Sequence, residues 1–322
     1  WGNFIWQEIK NYLNTTQAKV ELDKMKNEDY MVDIARGKST YKFIRKYLPE
    51  IELTIIDCRD KSNEEICKGD SNLSFVSGPD YFNDLDKYDW IIKSPGISFK
   101  DIDVSSFKEK ITSQIELLLE VDRENIIGIT GTKGKSTTTS LIYEMIKDQG
   151  KDVILVGNIG IPALDEIENF NENTIIVAEM SSHQLEFIET SPHIALLLNL
   201  YQDHLDHDGT LDHYHNNKMN IFRYQTEEDI CFYSSDNPYT IKKLSEYDYK
   251  AEKYDISFDN NKSTDHSVRI SKPNVFLGDK LIYTDGERKL IGDHYLKDIM
   301  FAVALADILG LDLDKVKETI IS

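Results

Sequence analysis

Lys135 and Ser136 stand in the run Gly131-Thr132-Lys133-Gly134-Lys135-Ser136-Thr137, directly after the β-branched stretch Ile126, Ile127, Ile129. That stretch reads as a buried strand. Leu141, Ile142, Met145 and Ile146, further on, share one face of a helix. A strand, a glycine turn and a helix N-terminus make an anion site. The glycines let bare N–H groups meet a phosphate, and the helix dipole adds about half a positive charge there. Lys135 supplies a mobile full charge, and the Ser136 hydroxyl can ligate Mg²⁺. The strict phosphate-loop spacing would put a glycine where Ile129 stands, so only the shorter Gly-Thr-x-Gly-Lys-Ser form is present. A second chemical position is Glu179, which ends the apolar run Thr174 to Ala178. A carboxylate at the end of a strand, near a phosphate loop, is where Mg²⁺ is held, because this ion takes one or two carboxylates with phosphate oxygens and water. The third is Asp203 to His215, dense in His and Asp. A zinc reading is disfavoured there: zinc sites use regular His spacing on a helix or Cys partners, and this segment reads as a loop after the strand Ala195 to Asn199.

These groups need a frame, and the chain supplies strands and helices in alternation. Residues 1–29 carry Trp1, Phe4, Ile5, Ile9 and Leu13 at a spacing that predicts a short amphipathic helix. Tyr30 to Ala35 predicts a strand, Arg36 to Ser39 a turn, Tyr41 to Leu48 a helix, and Leu53 to Ile56 a second strand ending at Asp57. This is a βαβ unit with an acidic residue at its second strand tip, a dinucleotide-fold arrangement with a poor glycine pattern. Only Gly37 is present, with Ala35 and Thr40 in the other places. A further strand runs from Trp90 to Lys93, and Ile111 to Val121 reads as a helix. Val153 to Val156 is a strand followed by Gly157-Asn158-Ile159-Gly160, a turn suited to shaping a ligand pocket. Short strands are predicted at Cys231 to Tyr233, Val268 to Ile270 and Lys280 to Tyr283, before a helix from Lys297 to Leu309. The fold class is α/β: a Rossmann-like N-terminal domain over 1–122, then a mostly parallel phosphate-loop-type α/β domain over 123–322. The boundary falls in the charged hinge Asp122 to Glu124.

The chain has 322 residues, enough for about two domains. Its net charge of −20 argues against a protein built to hold a nucleic acid polymer, yet a phosphate site needs only local positive charge. Cys58, Cys67 and Cys231 are scattered without a CxxC pair, which fits a reducing cytoplasm rather than a disulfide framework. No apolar run approaches 18 residues and no signal peptide opens the chain.

The Gly-Thr-Lys-Gly-Lys-Ser form resembles that of the Mur ligases and folylpolyglutamate synthetases, ATP-dependent, ADP-forming ligases that join a carboxylate to an amino acid. Further motifs favour the Mur ligases, and among them the D-glutamate-adding branch. Asp57-Cys58-Arg59 is similar to the family's Asp-Thr-Arg, and Ser94-Pro95-Gly96-Ile97 matches its Ser-Pro-Gly-Ile turn. The resemblance implies that Asp57, Arg59, Ser94, Pro95 and Gly96 hold a uridine diphosphate substrate. It places Asn158 beside the substrate's acyl end. Glu179-Met180-Ser181-Ser182-His183-Gln184-Leu185 resembles Glu-x-Ser-Ser-x-Gln-Leu, with His183 where Phe is common, and puts Ser181 and Gln184 at the substrate. Asn199, Asp203, His204 and Asp206 match Asn-x-x-x-Asp-His-x-Asp, implying that His204 ligates a second Mg²⁺, while His207, His213 and His215 are expected in solvent. Lys218 matches the family's carbamylated lysine, catalytic with Lys135 and His204 and a metal ligand with Ser136, Glu179 and His204. Gly292 and His294 match the motif that closes the adenine side of the ATP site, with Tyr295 and Asp298 where asparagines are usual.

The implied reaction is ATP-dependent addition of D-glutamate to UDP-N-acetylmuramoyl-L-alanine through an acyl phosphate, in peptidoglycan precursor synthesis, by a monomer with no membrane insertion. Residues 131–137, His294 and Asp298 then bind ATP. The family also carries a third, amino-acid-binding domain, and this sequence stops at Ser322, about where the linker to that domain is expected. Either the chain is truncated, the favoured expectation, or the protein has lost the domain, and the chain alone is expected to be inactive without it. Two other readings remain. One is a folylpolyglutamate synthetase-like ligase, against which the uridine-type first domain speaks. The other is a non-catalytic nucleotide-binding homologue.

Overall fold

The computed structural model describes residues 30–32, 38–58, 62, 68–79, 81–166, 169–171, 173–203, 205–258, 266–286, 288 and 292–321. The chain divides into two compact units, one holding the residues up to Val121 with Pro162–Glu172, the other Asp122–Ile161 with the residues from Asn173 onward. Among the described residues no helix is long and apolar enough to cross a membrane.

The first unit contains β1 (Tyr30–Val32), α1 (Lys38–Tyr47), β2 (Leu53–Asp57), β3 (Leu73–Ser77), β4 (Trp90–Ile92), β5 (Ile111–Thr112) and α2 (Gln114–Asp122). Among the described residues all its strand pairs are parallel, in the order β3-β2-β1-β4-β5. That is a doubly wound order, and its switch point lies between β1 and β4, where ligands lie outside the strands' carboxyl ends. Tyr41 and Ile44 of α1 pack on Leu53, Ile55 and Ile92 of the sheet. Ile111, expected to open a helix, instead pairs with Ile91 as β5, and the helix begins at Gln114. Thr40, which stands where a glycine would be expected, is held from α2: the Gln114 side-chain amide donates to its hydroxyl at 2.7 Å. Thr40 is buried, so this bond satisfies a polar group that would otherwise cost about 1–3 kcal/mol. The N-terminal helix expected over 1–29 lies outside the described residues.

The second unit begins with β6 (Ile126–Thr130), α3 (Lys135–Asp148) and β7 (Val153–Gly157). The short α4 (Ala163–Glu166) belongs to the first unit. There follow β8 (Ile175–Glu179), α5 (Ser182–Leu185), β9 (Ile194–Leu197), α6 (Leu205–Asp208), α7 (Leu211–Arg223), β10 (Ile230–Tyr233), α8 (Pro238–Ser245), β11 (Glu252–Ser257), β12 (Ser267–Ser271), β13 (Asn274–Leu277), β14 (Lys280–Thr284), α9 (Asp293–Ile308) and α10 (Leu313–Ile321). Among the described residues its sheet has nine strands, ordered β14-β13-β12-β11-β10-β9-β6-β8-β7. From β12 to β7 every pair is parallel, and β13 and β14 close one edge as antiparallel strands. The three short strands expected between Cys231 and Tyr283 are β10, β12 and β14. The predicted helix from Lys297 starts four residues earlier, at Asp293.

The core explains the order. Every residue of β6 is buried, so it reads as an unbroken apolar run, as parallel strands covered on both faces do. Leu141, Ile142, Met145 and Ile146 of α3 pack with Ile299, Met300 and Val303 of α9 and with Val316 and Ile320 of α10. Each such side chain contributes about 1.5–3 kcal/mol on burial. This packing holds α3 fixed behind the glycine turn and points its N-terminus at the carboxyl edge of β6.

Candidate active site

The site is a row of loops along the carboxyl ends of β8, β6 and β9. β6 lies between the other two, so the turn after it opens where the chain order reverses. Gly134 has φ +86°, and a Cβ there would sit 2.5 Å from Oδ1 of Asp298, so a larger residue would be strained and would have to displace Asp298. The turn is braced from β9. Asn199 Oδ1 accepts from the Lys133 N–H at 2.9 Å, and Asn199 Nδ2 donates to the Lys133 carbonyl at 2.9 Å. The Thr132 N–H donates to the Asn199 carbonyl at 3.0 Å. The Thr132 hydroxyl in turn accepts from the Tyr201 N–H at 2.9 Å and from the Tyr214 hydroxyl at 3.3 Å. Asn199 is legible in the sequence as part of a motif, but its grip on the loop is not, and no sequence signal singles out Tyr214.

Lys135 folds over this turn, its ammonium donating to the carbonyls of Gly131 and Thr132 at 2.9 and 3.2 Å. Burial lowers its pKa, while the charges of Glu179 and Asp203 oppose that shift. Ser136 and Thr137 open a groove of about 670 Å³ that runs along α3 to Asp148 and Thr319. Gly131, Thr132, Lys133, Gly134, Lys135, Ser136 and Thr137 are thus brought together on one turn and its helix.

Glu179 ends β8 and is fully buried. Its Oε1 accepts from Asn158 Nδ2 at 2.7 Å, and the Asn158 N–H donates to the Glu179 carbonyl at 2.9 Å. Gly157 permits that approach: with φ +104°, a Cβ on it would lie 2.3 Å from the Glu179 carbonyl oxygen. Oε2 of Glu179 accepts no hydrogen bond among the described residues. A buried carboxylate with one oxygen left over beside a phosphate-type loop fits a hard cation such as Mg²⁺.

Lys218 lies on α7 and is 1% exposed. Its pKa is pushed down to about 7, first by burial and then by the Lys135 charge, against the pull of Asp208, Asp203 and Glu179. Its ammonium sits 4.8 Å from the centroid of the Tyr214 ring. Glu179, Asp203, Lys135 and Lys218 therefore act on one another's charge, and the first two carboxylates compensate two buried amines. His204 lies outside the described residues.

Other expected positions divide. Ser181 and Gln184 cap α5 reciprocally: the Ser181 N–H donates to Gln184 Oε1 at 2.9 Å, and the Gln184 N–H to Ser181 Oγ at 3.3 Å. Their side chains face each other, a capping box that fixes the loop after Glu179. His294 is exposed in the first turn of α9, its ring 4.2 Å from that of Tyr295. Asp298, one turn on, is buried, and burial raises its carboxyl to about 7, against Thr138 and Lys297. In the first unit, Asp57 is buried at the end of β2. Ser94, Pro95 and Gly96 form a turn after β4, closed by the Ile97 N–H donating to the Ser94 carbonyl at 3.0 Å. Arg59 lies outside the described residues.

Two histidines expected in solvent are not there. His215 is 3% exposed, with Nε2 donating to the Tyr201 carbonyl at 3.1 Å. His207 is half-buried, its ring stacked on that of His183. His213 is exposed as expected, and its Nε2 meets Glu186 at 3.2 Å.

A family model described as the Mur ligase middle domain matches residues 129–306. A UDP-N-acetylmuramoylalanine–D-glutamate ligase of Clostridioides difficile (strain 630) is 31% identical over 303 residues, which cover 91% of this chain and 66% of that protein. The protein of the same name from Geobacillus kaustophilus (strain HTA426) is 33% identical over 244 residues, 72% of this chain and 52% of that protein. The chain thus spans between about half and two thirds of the length of these relatives. Among solved structures, a UDP-N-acetylmuramate:L-alanyl-gamma-D-glutamyl-meso-diaminopimelate ligase from Neisseria meningitides has a TM-score of 0.57 at 16% identity, covering 91% of this chain and 97% of that one. That likeness is one of fold.

Proposed function

Because the chain belongs to the Mur ligase family, we propose that it is the nucleotide- and uridine-substrate-handling part of an ADP-forming ligase, which adds D-glutamate to UDP-N-acetylmuramoyl-L-alanine in peptidoglycan precursor synthesis. One observation supports this most: Lys135, Glu179 and Lys218, from three separate elements, lie close enough to act on one another's charge, with Lys135 on the turn braced by Asn199. The choice of D-glutamate rests on the names of the relatives at 31% and 33% identity.

In this reading the substrate carboxylate attacks the γ-phosphorus of ATP, forming an acyl phosphate and releasing ADP. The amine of D-glutamate then attacks the acyl carbon and phosphate leaves. The N–H groups of the 131–137 turn and the Lys135 ammonium hold the transferring phosphoryl, so positioning and charge carry the catalysis. Mg²⁺, when bound, offsets charge on the phosphate oxygens; Ser136, Glu179, His204 and Lys218 are the residues that would hold it. An amine with a pKa of about 7 is about half neutral at pH 7. A neutral amine is the form that adds carbon dioxide, so Lys218 is suited to becoming a carbamate, an anion among cations. The switch point between β1 and β4, with Asp57, Arg59 and Ser94 to Gly96, would take the uridine diphosphate. Gln184 and Ser181 would act on the substrate by holding the Glu179 loop, and Asn158 by holding Glu179.

Calorimetric titration of this chain with UDP-N-acetylmuramoyl-L-alanine, and phosphate release by the full-length gene product on adding ATP, that acid and D-glutamate, tests the proposal. Saturable binding with D-glutamate-dependent phosphate release supports it. Phosphate release with another amino acid would retain the ligase and move the substrate. Binding without any release would favour the non-catalytic homologue.

A further inference from the structure

We propose that His183, His207 and Asp208 form a site for one divalent transition-metal ion, zinc by preference, separate from the carboxylate site at Glu179. His183 lies on α5, after β8; His207 and Asp208 end α6, after β9. One ligand atom from each of the three lies within 4.8 Å of the others. Nε2 of His183 is 3.4 Å from Oδ2 of Asp208. That equals the edge of a tetrahedron with metal–ligand bonds of about 2.0–2.1 Å, the zinc–nitrogen and zinc–oxygen distance.

The carboxylate is prepared for a ligand. Asp208 has a fully buried side chain. Its Oδ1 accepts from Asn217 Nδ2 at 2.8 Å, while Oδ2 accepts no hydrogen bond among the described residues and points toward the histidines. Asn217 stands in the place of the outer hydrogen bond that orients ligating carboxylates. The two imidazoles lie 3.5 Å apart between centroids, at 19°. An ion binds in the plane of each imidazole, so one of the two rings turns about its χ2 when the ion enters. Two imidazoles and one carboxylate suit zinc and its late first-row neighbours, whereas Mg²⁺ takes oxygen ligands. A fourth position is left for water. The ion would tie the loop after Glu179 to the loop after Asp203, and through Asn217 to the helix of Lys218. The zinc reading fails for 203–215 taken alone because the ligand that completes the set is His183, on α5.

The test uses this chain without an affinity tag, stripped with chelator and titrated with Co²⁺ and then Zn²⁺ in excess Mg²⁺ and without nucleotide. The expected result is one equivalent of Co²⁺ with the intense visible bands of a four-coordinate site, displaced by Zn²⁺. His183→Phe and His207→Gln each weaken binding at least about 100-fold, because each removes a ligand and loss of mere outer-shell partners already costs 10–100-fold. His213→Gln and Glu179→Gln leave it within about twofold. Circular dichroism and thermal midpoints establish that each variant is folded, and the two histidine variants serve as checks on one another. Failure of the wild type to take up one equivalent overturns the proposal. So does undiminished affinity in both histidine variants, or loss of binding in Glu179→Gln alone.

Discussion

Replacing Asp298 with Asn removes a buried carboxyl and keeps its shape. Burial raises the Asp298 carboxyl from its ordinary 3.8 to about 7 in the folded chain. Between those two values the folded state holds a proton that the unfolded state has lost, so stability falls as pH rises from about 4 through 7. Three units at about 1.4 kcal/mol each give about 4 kcal/mol, lost by pH 8. Asp298 is only 7% exposed, so solvent screening takes little from that figure. Asn cannot ionise and escapes the penalty. At pH 5 the variant should already be the more stable by about 1.5–2 kcal/mol, because the unfolded wild type has begun to lose its proton above 3.8. At pH 8 the variant should be the more stable by up to about 4 kcal/mol, roughly 10 °C in midpoint for a unit of this size. Urea unfolding followed by circular dichroism at half-unit steps from pH 5 to 8.5 measures the difference directly. Titration of Asp122, which burial raises to about 6, and of Lys218 cancels in the subtraction. A difference that stays flat across this range would refute the reasoning, since it would mean that Asp298 is already ionised at pH 5.

Gly134→Ala forces a left-handed residue to carry a Cβ against Asp298, which should cost about 3 kcal/mol or more; adding Asp298→Ala should recover part of it, read from the same unfolding curves. Asn199→Ala removes both side-chain bonds to Lys133. Each such bond is worth about 1 kcal/mol, so affinity for a non-hydrolysable ATP analogue should fall about 10–100-fold by calorimetry, with secondary structure intact. Lys218→Met removes an amine whose charged form is costly below pH 7. Stability of the variant should exceed that of the wild type at pH 6, with the gap closing as pH rises through 7 toward the unfolded value. D-glutamate-dependent phosphate release by the full-length gene product should fall at least about 100-fold.

What the chain order alone could disclose was whatever depends on neighbours in sequence. The strand Ile126–Thr130, its glycine turn and the face of α3 were readable because a buried strand and an amphipathic helix have fixed periods. Glu179 was readable for the same reason, as the acid that ends an apolar run. The mostly parallel α/β class followed from the alternation of such runs. Local pattern misled where a partner strand decided the outcome, as at Ile111, whose apolar neighbours suit a helix until β4 supplies a ladder for it.

Tertiary structure alone decided which distant groups meet. Asn199 grips Lys133 across 66 positions, Gln114 satisfies Thr40 across 74, and Asn158 fixes Glu179 across 21. His215 was expected in water; packing carries it inward, where the Tyr201 carbonyl accepts a hydrogen bond from its Nε2. The histidine cluster is the clearest case, since the rings of His183 and His207 stack although their segments follow β8 and β9, on opposite sides of β6. The physical reason is common to all of them. Backbone periodicity is a local property of the chain, while burial, charge compensation and hydrogen-bond partners depend on which strands the sheet makes neighbours.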